Sequence, residues 1–235
     1  MPTDATAVVI FGDNWIMQLD SKPGVLFWSS KLNVDADGHP QCYHPAGSPP
    51  GLDFLANAGK PGNWWGIACD SKGKPYIQTN EMEAPGFYVS TTALVDSAFK
   101  ENHPAKYVNA GKVPYIVLPS SPKFSPKQKL GDLAMCFNTQ NGKKSWAIYA
   151  DVGPKNAIGE GSMHLSEMLG LSVSPKTGGT QKEIIATVFW PGSSIGWPKL
   201  HIELAATAEK LFMEWGGYDS LMAGMPQYDW SKFMV

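Results

Sequence analysis

Two acidic residues nine positions apart, Asp151 and Glu160, carry the strongest chemical signal in the chain. They lie in the block Ala150-Asp151-Val152-Gly153-Pro154, which continues to Gly159-Glu160-Gly161-Ser162. The apolar run before Asp151 reads as a strand that delivers this residue to its end. Gly153-Pro154 then turns the chain, and Gly159 and Gly161 bracket Glu160 ahead of a short helix. A loop folded back in this way can hold two carboxyl groups on opposite sides of one bond. One would donate a proton while the other activates water or attacks, which is the chemistry of glycosidic cleavage. The flanking glycines would let a sugar ring approach the backbone closely. Taken alone, an Asp and a Glu in one loop more often mark a turn and a solvated charge than a reaction.

The elements that must position this pair read as short strands and turns. Residues 7–11 and 15–19 form strands around a Gly12-Asp13-Asn14 turn, and Val25-Leu26-Phe27-Trp28 is apolar enough for a buried strand. A long loop covers residues 33–51, with a short helix expected over 52–58. A hairpin is expected over 64–78 around Ser71-Lys72-Gly73, and another short helix over 91–99. Tyr115-Ile116-Val117-Leu118 is a strand, followed by a Ser/Pro/Lys-rich connection over 119–129. Strands at 133–138 and 145–150 flank Asn141-Gly142, the strongest hairpin turn in the chain. A helix over 162–169 ends at Gly170, residues 184–190 form the last core strand, and a long helix covers 200–215 with Leu200, Leu204, Ala208 and Leu211 at helical spacing. Trp28 and Trp190 are expected in the core. No boundary divides the 235 residues, so one domain over 1–235 is expected.

Composition narrows the partners. The 24 glycines and 19 prolines suit many turns between strands. All 19 basic side chains are lysines, and arginine, the usual reader of guanine and bidentate binder of phosphate, is absent. With a formal net charge of −2, this argues against a nucleic-acid partner and is compatible with a cationic ligand such as an amine-bearing polymer. Three cysteines without a Cys-x-x-Cys pair indicate neither a zinc ribbon nor a disulfide scaffold. Asn33-Val34-Asp35-Ala36-Asp37-Gly38 opens like a calcium loop, but the twelfth position is His44 rather than glutamate, so no EF-hand, resident metal or cofactor is expected. The same aspartates suit either a polar turn or pairing with substrate ammonium groups. No basic n-region with an apolar run opens the chain, and no apolar stretch is long enough to cross a bilayer.

Several stretches together resemble the family 75 glycoside hydrolases, the chitosanases of filamentous fungi. They are Ser30-Lys31-Leu32-Asn33-Val34-Asp35-Ala36-Asp37-Gly38, Tyr43-His44-Pro45, Gly51-Leu52-Asp53-Phe54-Leu55-Ala56-Asn57-Ala58-Gly59, Tyr88-Val89-Ser90-Thr91-Thr92, and the block from Asp151 to Ser162. The resemblance implies an inverting enzyme that cleaves β-1,4 links in chitosan, with Asp151 and Glu160 as the catalytic pair. It also implies substrate contacts from Lys31, Asp35, Asp37, Tyr43 and Ser162. A tryptophan at 64 or 65 is expected to stack on a sugar, and Trp64 is the candidate. Extracellular action is implied, through a removed signal or another export route, and a monomer is expected.

Asp151-Val152-Gly153-Pro154 followed by Leu165-Ser166 and Leu169-Gly170 is also similar to the Asp-x-Gly-Pro signature of double-psi β-barrels, including expansins, rare lipoprotein A and a lytic transglycosylase. Many of those relatives carry an aspartate where this chain has His164. The expected fold is therefore mainly β: a six-stranded double-psi-like barrel with additional short strands and a few helices. Two other readings fit the same scaffold, a peptidoglycan glycosidase acting as an antibacterial effector and a non-catalytic, expansin-like polysaccharide binder.

Overall fold

The apolar runs that alternate poorly at the sequence level do so because most of the strands are buried on both faces. In the computed structural model, which describes residues 4–119 and 125–234, they form β1 (Ala5–Phe11), β2 (Asn14–Leu19), β3 (Lys22–Asp35), β4 (Gly59–Lys60), β5 (Asn63–Trp64), β6 (Tyr115–Pro119), β7 (Leu133–Asn138), β8 (Lys144–Gly153), β9 (Glu160–Ser162) and β10 (Thr180–Trp190). The helices are α1 (Met163–Met168), α2 (His201–Trp215) and α3 (Gly217–Gly224). Part of the expected connection over 119–129, residues 120–124, lies outside the described residues.

Six strands close a barrel in the order β3-β10-β7-β8-β6-β9, and β9 returns to pair with β3. Two of the six pairings, β6 with β8 and β3 with β9, are parallel, and the rest are antiparallel. The fold is thus mainly β with a closed barrel and few helices, as expected. The β1–β2 hairpin extends the sheet from the first half of β3, on the edge that β9 occupies further along. The β7–β8 hairpin turns through residues 139–143, where Gly142 takes the left-handed conformation at φ +75°.

Strand alternation divides the core into two. Inside the barrel, Leu26, Trp28 and Leu32 of β3 meet Phe189 of β10, and Leu165 and Leu169 plug the interior. Outside it, Phe27, Phe137 and Val188 pack beneath the helices, against Leu204, Ala208, Phe212 and Trp215. Trp28 and Trp190 are both buried.

Four local expectations are corrected. Residues 52–58 form only a 3-10 turn at Leu55–Ala58. Residues 91–99 are not helical: Val95 bridges to Tyr107, and the amide of Ala93 is drawn to the Asp151 carboxylate. The helix over 200–215 forms, but it turns Phe212 and Trp215 inward while Leu200, at its N-cap, is 67% exposed. Gly216 ends it at φ +107°, and the chain restarts as α3, which the Gly216-Gly217 pair conceals in the sequence. The hairpin expected over 64–78 is reduced to isolated bridges, Cys69 to Pro75, with Ile77 to Tyr88 and Ile67 to Ser90 beside it. The cysteines at 42, 69 and 136 are free thiols. Among the described residues, no helix is long and apolar enough to cross a membrane.

Candidate active site

Strand register sets the geometry of the two acids. Val117 at the centre of β6 pairs with Asp151 of β8 on one side and with Glu160 of β9 on the other. Glu160 in turn pairs with Asn33 of β3. Residues paired directly across strands point to the same face, so Asp151, Val117, Glu160 and Asn33 form one row. Two strand spacings put the Asp151 and Glu160 backbones about 10 Å apart.

Asp151 joins the row on the outer face only because β8 carries a bulge. Ile116 pairs with Tyr149 while Val117 pairs with Asp151, which leaves Ala150 as an extra residue. Tyr149 packs inside the barrel, and strict alternation would send Asp151 there too. The extra residue turns Asp151 to the outer face, a known use of bulges beside functional sites. Gly153, two residues further, keeps that face open. A Cβ there would come within 2.9 Å of Val117 Cγ1 and would lie 3.7 Å from Glu160 Oε2.

Further acids converge on the row. Asp35 is at the end of β3 on the face of Asn33, and its Oδ1 accepts from the amide of Asp37 at 2.8 Å. The turn-forming and site-forming roles of these aspartates therefore coincide. Asp37 Oδ1 accepts from Ser90 Oγ at 3.2 Å, and the Tyr115 hydroxyl donates to the Asp37 carbonyl at 3.0 Å. Asp151 Oδ1 accepts from the amides of Ala93 and Val152 at 2.8 and 2.9 Å. Among the described residues, oxygens of Asp35, Asp37 and Asp151 form the one set within 4.8 Å of one another that could hold a metal ion. Three carboxylates suit a hard divalent cation, and they equally suit an ammonium group.

Crowding of like charges away from water disfavours ionisation. Burial, and secondarily the Asp35 carboxylate, push Asp151 up to about 7 against its two backbone hydrogen bonds. Burial, followed by Asp35, Asp151 and Asp53, pushes Glu160 up to about 8, and Lys31 opposes the shift. Burial chiefly raises Asp35 to about 6. Burial and then the charges of Asp35 and Asp151 hold Asp37 well above the usual carboxylate range.

Asp35, Asp37, Asp53 and Glu160 line a cavity of about 660 Å³ with Tyr43, the 175–179 loop and the start of β10, and Asp151 stands behind its lining, beside Asp35 and Asp37. Asp53 and that loop, with Lys176, carry no role in the sequence reading. The signals were present in the Gly51–Gly59 stretch and in the Gly178-Gly179 pair, whose second member has φ +70° against the backbone of Leu32. Asp53 is buried and bonded to Asn57 Nδ2 at 2.8 Å.

Other expected contacts sit elsewhere. Lys31 lines a neighbouring recess instead of the main cavity. Trp64 packs on a small core around Tyr43 and Ala58, whereas Trp65 is 63% exposed and donates to the carbonyl of Asn57, a cavity residue. The Ser162 hydroxyl is fully buried and caps α1. It accepts from the amides of Leu165 and Tyr115 and donates to the Val113 carbonyl at 2.8 Å. Ser162→Ala is expected to lower stability by about 2 kcal/mol, read as a drop in denaturation midpoint. At a temperature where the variant is folded, its KM should be unchanged.

A family model described as fungal chitosanase of glycosyl hydrolase group 75 matches residues 64–214, which include Asp151 and Glu160 and exclude Asp35, Asp37 and Asp53. No curated protein gives a significant match.

Proposed function

Since the chain belongs to glycosyl hydrolase group 75, the fungal chitosanase family, we propose that it cleaves β-1,4 links within chitosan by inversion, with Glu160 as general acid and Asp151 as general base. The observation that carries this reading is the row Asp151–Val117–Glu160 on one open face. A backbone spacing of two strands suits the about 6.5–9.5 Å carboxyl separation of an inverting pair, which leaves room for water, better than the about 5 Å of a retaining pair.

The roles follow from the surroundings. Glu160, raised furthest of the pair, keeps its proton near neutrality and can give it to the leaving oxygen. Asp151 accepts two backbone N–H bonds that favour its charged form, so it ionises first and can take a proton from water. Asp35, Asp37 and Asp53 line the same cavity as Glu160. An ammonium group among these acids relieves their mutual repulsion, so a polymer of free amino sugars is favoured over its acetylated counterpart. Extracellular action on such a polymer fits the family.

Reducing-end release measured side by side on chitosan, chitin, cellulose and bacterial sacculi tests the reading. The expected result is turnover of chitosan well above the others. Release from sacculi alone would replace it with a wall hydrolase, and binding to polymer without release with a non-catalytic binder.

A further inference from the structure

The outer face of β3 carries its odd-numbered residues in sequence: Ser29, Lys31, Asn33 and Asp35. Three cavities are laid along it. Asn33 and Asp35 line the acidic cavity, Lys31 lines a recess of about 280 Å³, and Ser29 lines a third of about 240 Å³. The cavities share walls. Gln181 belongs to the first and second, and Asp13, Asn14 and Glu183 to the second and third. At about 3.3 Å per residue, Ser29 lies about 20 Å from Asp35.

The trough exists because β10 leaves β3 there. Thr180 pairs with Leu32 and the next pairing is Ile185 with Ser30, so β10 spends three extra residues over this interval. That slack lifts Gln181 and Glu183 into a wall. Gln181 Nε2 bonds Asn33 Oδ1 at 3.0 Å, and Asn14 Nδ2 bonds Glu183 Oε1 at 3.2 Å and the Ser29 carbonyl at 3.1 Å. At the far end stands Trp15, 45% exposed on the β1–β2 hairpin and lining the third cavity.

We propose that this trough is a remote binding path for the substrate polymer, in which Asp13 and Glu183 receive ammonium groups and the Trp15 indole stacks on a sugar ring. The proposal rests on the chitosanase reading and adds a determinant of polymer affinity of which Asp13 and Trp15 stand outside the residues matching the family, 64–214, and Glu183 within them. An apolar ring flanked by carboxylates meets both halves of an amino sugar, its apolar face and its cationic edge. Continuity with the acidic cavity gives the occupant its identity: a chain held at Glu160 and running along β3 reaches Trp15.

The test compares wild type with Trp15→Ala on polymeric chitosan and on a glucosamine tetramer, which straddles the cleavage point and falls short of Trp15. The expected result is a KM for polymer raised about three- to tenfold, with kcat and the tetramer KM unchanged. Asp13→Asn with Glu183→Gln, which preserves the side-chain shapes, should raise the polymer KM in the same way. This second variant decides the matter if Trp15→Ala lowers the melting temperature. An unchanged polymer KM in a wild-type background that cleaves chitosan overturns the path and leaves the activity standing, as does an equal rise on polymer and tetramer. A wild type that cleaves neither substrate overturns both.

Discussion

Glu160→Gln is expected to release reducing ends from chitosan about 10²–10⁴-fold more slowly than wild type, the usual worth of a positioned general acid. Asp151→Asn should fall in the same range. Both substitutions keep the shape of the side chain and remove a carboxyl group that burial and like charges penalise. Neither variant should unfold, and both should melt higher than wild type at pH 8. Rate and melting temperature moving in opposite directions distinguish a catalytic acid from a structural one. Retention of full activity by both variants would end the two-carboxylate mechanism.

The pH profile of kcat/KM gives an independent reading of the same pair. The proposed mechanism needs Asp151 ionised and Glu160 protonated, so the profile should rise near pH 7 and fall near pH 8. Asp35 raises both groups. Asp35→Asn should therefore move both limbs toward acid, whereas a residue that only contacts substrate would change the height of the profile and leave its limbs in place.

The second large effect is on stability. Asp35, Asp151 and Glu160 have pKa values of about 6, 7 and 8 in the folded protein, and Asp37 is held high beside them. In the unfolded chain such groups ionise near pH 4. The folded state therefore binds more protons between these limits. The stabilisation is fully present below about pH 4 and is lost as pH rises through about 6 to 8. The expected loss over that window is on the order of a few kcal/mol, visible as a melting temperature that falls from pH 5 to pH 8. Asp37→Asn, which retains an acceptor for Ser90, should melt higher than wild type at pH 8 and show little difference at pH 4. A melting temperature independent of pH over this interval would show that the four acids are solvated and the cluster is not formed.

Much of the frame is written locally. The strands at 133–138 and 145–150 and their Asn141-Gly142 turn follow from residues adjacent in the chain, and so does the helix ending at Gly170. The two acids could be singled out for the same reason: glycines, a proline and an apolar run surround them within a dozen residues. Where local signals failed, a distant partner had overridden them. Residues 91–99 have a plausible helical pattern, yet the amide of Ala93 serves the Asp151 carboxylate instead of an intrahelical bond. Asp53 reaches the cavity through a turn of loop whose position depends on packing around Tyr43. Trp64 and Trp65 are indistinguishable in the sequence, and only the small core beneath them decides which ring is covered.

Composition and backbone preference act over a few neighbouring positions, so they suffice for the residue types that could react, the β-rich class and most of the turns. The tertiary structure alone decided which way the acids face and which others join them. The extra residue at Ala150 turns Asp151 out of the barrel, and the pairing of β9 with β3 and β6 sets Glu160 between Asn33 and Val117. Those registers link positions 34, 43 and 127 residues apart, and they are settled by closing the barrel around a shared core, where a one-residue slip would bury the acids and expose the core.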